Sequence, residues 1–188
     1  MNTDSPAPTV PYGIPYGTAR SSPGGDAHTI GFELAFPRPV DNVWEAVATP
    51  GGLRGWLASA DPFEPGPGGA VTLRWLDGGD GAEPDGPAAT GRITAWSRRR
   101  LAEYTVGTRG SFGFTLKGTA DDDRTRIRFR NDFTGDAARL LDRLAGWHHH
   151  FELLREELDG APASGTAWAP ARVTALRAVY ADRGPETE

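Results

Sequence analysis

The sequence predicts an α+β fold: a curved antiparallel sheet of six strands wrapped around one long C-terminal helix, in the order β-αα-βββββ-α, with a short extra helix at the end. Two patterns carry this reading. Leu140, Leu144, Trp147, Phe151, Leu154 and Leu158 recur at helical spacing through 136–160, which makes one apolar stripe of a six-turn helix. Upstream of it, six segments alternate apolar and polar residues with the two-residue period of half-buried strands.

The first strand spans 29–36, with Ile30, Phe32, Leu34 and Phe36 on one face and Gly31, Glu33 and Ala35 on the other. Pro37 and Pro39 end it, and Pro39 suits the start of a helix. Val40, Val43, Trp44 and Val47 then form one helical face, and 49–52 (TPGG) breaks it before a second short turn carrying Leu53 and Trp56. The remaining strands are 71–76, 90–96, 101–106, 111–117 and 124–131, a meander in which Val71, Leu73 and Trp75, then Phe112, Phe114 and Leu116, then Thr125, Ile127 and Phe129 share faces. An acidic glycine-rich stretch, 78–87, reads as a hairpin loop, and Asp121–Asp123 reads as a turn. Residues 1–27 are Pro/Gly-rich without periodicity and are expected to be a disordered tail, the alternative being a tail that docks through Tyr12 and Tyr16. Residues 28–160 are the expected domain. Residues 161–188 are a linker and a short helical extension whose face is Trp168, Val173, Leu176 and Tyr180.

Composition narrows the function. The 188 residues suffice for one domain with a sizeable core. A net charge of −5 argues against a nucleic-acid or anionic-membrane partner, and no apolar run is long enough to span a bilayer. The first residues lack the basic start and apolar core of a secretory signal, so a cytoplasmic location is expected. Without cysteine there are no disulfides, thiolate ligands or thiol nucleophiles. One lysine, Lys117, against nineteen arginines points to a GC-rich bacterial genome.

Four stretches resemble the START-like, helix-grip superfamily, and within it the group similar to the C-terminal domain of the activator of Hsp90 ATPase. They are Phe36-Pro37-Arg38-Pro39-Val40 with Val43-Trp44-Glu45-Ala46; Thr49-Pro50 with Leu53 and Trp56-Leu57; Gly91-Arg92-Ile93-Thr94 with Arg100-Leu101; and Gly146-Trp147 with Phe151, Leu154 and Leu158-Asp159-Gly160. These are mostly packing residues, so they speak for fold more than for function. The resemblance implies a sheet gripping the long helix around an apolar cavity. It implies a binding protein for hydrophobic, aromatic or polyketide-like small molecules, with antibiotic self-resistance among its roles. Polyketide cyclisation or aromatisation and Hsp90-type partnership are the alternatives. START-like proteins of some actinomycetes bind enediyne antibiotics and are cleaved in their place.

Candidate ligand-binding residues are Trp75, Tyr104, Phe112, Phe114, Phe129, Trp147 and Phe151, which alternation directs between sheet and helix, where they either line a cavity or fill the core. Gly113 joins them, because glycine inside an aromatic strand marks a bulge or a close ligand approach, and an α-carbon without a side chain can donate hydrogen to a radical. His148-His149-His150 cannot converge on one ion, since successive helical residues point about 100° apart. His148 with Glu152 would give only two ligands, so no metal is expected. As acid–base candidates, His148 or His150 at a cavity edge and Asp132 near the helix start are weak, and no Ser-His-Asp set, phosphate loop or acid pair accompanies them. The residues therefore support binding before catalysis, without a cofactor, in a monomer or weak dimer. Asp77, Asp80, Glu83 and Asp85 read as a solvated hairpin tip, and the arginines at 124, 126, 128 and 130 as an exposed sheet face paired with neighbouring acids.

Overall fold

The computed structural model describes residues 13–77, 88–118, 123–160 and 168–184. Eight strands form one antiparallel sheet: β1 (Thr18–Ser21), β2 (Ala27–Phe36), β3 (Ala58–Phe63), β4 (Ala70–Trp75), β5 (Ala89–Ser97), β6 (Leu101–Val106), β7 (Ser111–Lys117) and β8 (Thr125–Thr134), in the spatial order β1-β2-β8-β7-β6-β5-β4-β3. Between β2 and β3 lie the short helices α1 (Val40–Ala48) and α2 (Pro50–Arg54). The long helix α3 (Ala137–Leu158) follows β8, and α4 (Pro170–Arg183) follows α3. This is the helix-grip architecture, with two strands more than the six expected.

The two extra strands lie at the sheet edges. β3, ASADPF, carries small residues and Pro62 with a register shift, which only an edge strand tolerates, and its sequence shows no apolar alternation. β1 is only TARS, with Ala19 its single buried residue. It also corrects the expectation of a disordered 1–27 tail: from residue 13 onward this stretch belongs to the domain. Ile14 is fully buried, Thr18 to Ser21 pair with β2, and Tyr16 packs against His148 and Tyr180. Tyr12, the other half of the docking alternative, lies outside the described residues, as do the hairpin loop 78–87 and most of the 161–168 linker.

Alternation decides which side of the sheet meets α3. Phe32, Tyr104, Phe112, Phe114 and Phe129 face the helix and are buried. On the outer face Arg128 pairs with Glu33 on the adjacent strand, as the alternating arginines suggested, whereas Arg130 pairs with Asp132 two residues along its own strand. α3 starts where Asp136 accepts a hydrogen bond from the Arg139 backbone N–H (2.8 Å), and it ends at Gly160, which takes a left-handed conformation. Arg143, which lies outside the apolar stripe, is nonetheless only 4% exposed. Every residue of α3 from 143 to 154 is buried, because the N-terminal segment and α4 cover much of the surface that the sheet leaves open. Among the described residues, no helix is long and apolar enough to cross a membrane.

Candidate functional site

β4 and β6 run in the same direction, so the residues that follow them meet at one end of the sheet. Asp77 follows β4. Arg109 closes a 3-10 turn, Gly107–Arg109, between β6 and β7. The buried Asn131 side chain on β8 positions that turn: its amide donates to the backbone carbonyls of Arg109 and Ser111 (both 2.9 Å) and accepts from the Trp147 indole N–H (3.0 Å). One guanidinium nitrogen of Arg109, Nη2, donates to both oxygens of Asp77 at 2.6 and 2.7 Å, and the guanidinium lies 4.2 Å from the Trp75 ring centre. Asp77 is thus no part of a solvated hairpin tip; its side chain is only 10% exposed. Burial alone would push its carboxyl up, but His150 at 3.7 Å and the Arg109 guanidinium outweigh burial and hold it well below the usual carboxylate range.

In front of this pair opens a cleft of about 670 Å³. One wall is the first half of α3, from Asp136 through Arg139 and Arg143 to Gly146; Trp168, just before α4, and Val173, in its first turn, also line it. Gly146 is the telling residue. Glycine inside a helix costs stability relative to alanine, yet among the described residues a Cβ placed here would meet nothing within 4 Å. A buried helical position with empty space where its side chain would stand is the backbone floor of a cleft.

Of the candidate ligand-binding residues, the seven aromatic ones come together and Gly113 does not. Trp147 lies 4.3 Å from Phe129, 5.2 Å from Phe112, 5.8 Å from Phe151 and 5.9 Å from Trp75, measured between ring centres. Tyr104 stacks on Phe112, and Phe114 contacts Phe129. Two of their polar tips are taken internally: the Tyr104 hydroxyl donates to the Val47 carbonyl at 3.1 Å and Trp147 bonds Asn131, while the buried Trp75 indole N–H makes no hydrogen bond among the described residues. These rings pack on one another behind the cleft. Trp168 links the two, with ring centres 4.7 Å from His150, which in turn touches Trp75 and Trp147. Gly113 sits on the opposite, outer face, in register with Glu103 and Arg130, where an added Cβ would meet the Glu103 side chain.

His148, His150 and Asp132 are not brought together. Asp132 is on the outer face, and hydrogen bonds from Arg130, opposed by burial and aided by Thr29, hold its carboxyl below the usual value. Burial pushes His148 down to about 4, so it is uncharged at neutral pH, and burial also lowers His150 against the opposing pull of Asp77. His150 Nδ1 donates to the Trp56 carbonyl at 2.8 Å. The Tyr180 hydroxyl accepts from the Gly17 N–H and donates to His148 Nδ1, both at 2.9 Å, which joins the two ends of the chain on α3. His149 accepts at Nε2 from the Ala169 N–H (3.1 Å) and donates from Nδ1 to Glu152 (3.0 Å), while Arg172 clamps the same carboxylate at 2.6 Å. The histidine run therefore serves packing. Among the described residues no three His, Cys, Asp or Glu side chains converge in a metal-holding group.

Sequence reasoning missed Asp77, Arg109 and Gly146 as site residues. Gly146 alone carried a readable signal, a helix-disfavoured residue in the middle of a stripe of large ones.

No family model matches the sequence, and comparison with curated proteins gives no match. Solved structures do match. A conserved protein of unknown function from Enterococcus faecalis, EF2215, superposes with TM-score 0.68 at 17% identity, covering 89% of each chain. The Aha1 dimer from Colwellia psychrerythraea superposes at TM-score 0.57 and 12% identity, over 71% of this chain and 98% of that one. DynU16, described as a putative protein in the dynemicin biosynthetic locus, superposes at 0.56 and 21% identity, over 72% of this chain and 49% of that one. At these identities the likeness establishes the fold, which is compatible with the START-like class.

Proposed function

We propose that this protein binds a hydrophobic, flat, aromatic or polyketide-like small molecule in the cleft between the first half of α3 and the Trp168 segment. The observation that carries the reading is Gly146: a stability-costing residue keeps the helix backbone open to a cavity of ligand size. Trp168 offers a ring surface in the cleft. The aromatic interior, with Trp75 behind Arg109 and Trp147 behind His150, adjoins it and extends the apolar wall if those rings shift. The similarity to a protein of the dynemicin locus favours a natural-product ligand and a role in self-resistance. Sequestration is the form of resistance this reading takes, since Gly113 faces away from the cleft.

The test is a fluorescence titration of the full chain with flat compounds of two to four fused rings. Saturable quenching is expected, lost on Trp168→Phe and weakened at least ten-fold in Gly146→Leu, whose unfolding midpoint should not fall. Absence of a saturable response to every compound overturns the reading.

A further inference from the structure

We infer that the cleft selects, among flat hydrophobic ligands, uncharged ones that present an oxygen acceptor, and that Arg109 is the residue that reads that oxygen. This rests on the binding reading above and adds a chemical class to it.

Arg109 is 7% exposed and lines the cleft. Only its Nη2 is used, on Asp77; among the described residues Nη1 and Nε make no hydrogen bond. These two donors are not among the fully buried unpartnered atoms, so they meet the solvent of the cleft, and a ligand oxygen entering there can take a charge-assisted hydrogen bond from them. The guanidinium is not free to swing toward other partners. Asp77 holds one end, the Trp75 face fixes its plane, and Asn131 anchors its backbone carbonyl. The remaining donors are therefore aimed before a ligand arrives, which lowers the ordering cost of binding.

Charge decides between a carbonyl and a carboxylate. Among the described residues the cleft walls carry Arg109, Arg139 and Arg143 against Asp77, Asp136 and Asp142, a balanced set. Asp77 stays ionised at neutral pH beside the very guanidinium a ligand would meet. A second carboxylate there would face Asp77 across the guanidinium and leave a net buried negative charge, whereas a ketone or phenol oxygen takes the same hydrogen bond with no charge added.

Three naphthalenes of matched size test this on the full chain at pH 7.5: 2-acetylnaphthalene, 2-ethylnaphthalene and 2-naphthoate. The acetyl compound should bind roughly ten-fold tighter than the ethyl compound, the worth of one hydrogen bond to a charged group, and also tighter than the naphthoate. In Arg109→Lys, which keeps a cation for Asp77 but loses the fork, the acetyl-to-ethyl ratio should shrink to about two-fold or less while ethyl binding is retained; if that variant does not fold, the neutral double variant Arg109→Met with Asp77→Leu replaces it. Equal binding of the acetyl and ethyl compounds, tightest binding by naphthoate, or an unchanged ratio in the variant overturns the inference and leaves the binding reading standing. No binding by any of the three overturns both.

Discussion

The two sides of α3 are buried by opposite chemistry. Toward the sheet, Leu144, Trp147, Phe151 and Leu154 sit among rings that fill space by shape. Toward α4 and the N-terminal segment, the same helix buries His148, His149 and Glu152, each answered by a named partner. The first side is held by volume and tolerates no loss of it. The second is held by matched donors and acceptors and tolerates no loss of a partner. The cleft lies upstream of this polar cover, at Gly146, which neither side fills.

The contrast can be broken from either side. Truncating the apolar side should cost most: Trp147→Ala should lower unfolding free energy in urea by about 4 kcal/mol, through lost contacts and the cavity left behind. The polar side should show itself through acid. A histidine whose folded value lies below its unfolded one stabilises the fold above the unfolded value and loses that contribution as pH falls toward the folded one. For His148 the window runs from 6.5 down to about 4. Over it roughly 3 kcal/mol should disappear from the stability–pH curve, and His148→Gln should flatten that limb. Glu152→Gln, which unpairs Arg172 and His149, should cost about 2 kcal/mol at pH 7, less than a fully buried pair because Arg172 is partly exposed. The smallest effect sharpens the comparison most. Gly146→Ala should raise stability by about 1 kcal/mol, since a methyl group meets nothing there, while weakening ligand binding. A destabilised Gly146→Ala would mean the cleft is not open.

The strands that alternate were legible in the sequence because each carries at least two large apolar residues on one face: β2, β4, β7 and β8 are the clearest cases. α3 announced itself by its stripe, and α4 by Leu176 and Tyr180, both buried. β1 and β3 were not legible, since their pairing is set by neighbours rather than by their own side chains. The polar face of α3 was hidden for a related reason. Nothing in the helical spacing shows that Arg143 and Glu152 are buried, because the segments laid over this side of α3 come from distant parts of the chain. The aromatic residues were found as a set, but whether they line or fill is a matter of packing distance, which no periodicity encodes. Asp77 looks like any acid of its loop, and its pairing with Arg109 depends on which strand ends the topology brings side by side.

The bond from the Gly17 backbone to the Tyr180 hydroxyl ties residues 163 positions apart. During synthesis the amino-terminal strand must therefore wait for almost the whole chain to emerge before its outer cover is complete, so the fold closes late and as a unit. For handling the protein, this means that truncations reaching Gly17 from one side or Tyr180 from the other act on the same spot, and removing either segment uncovers the other.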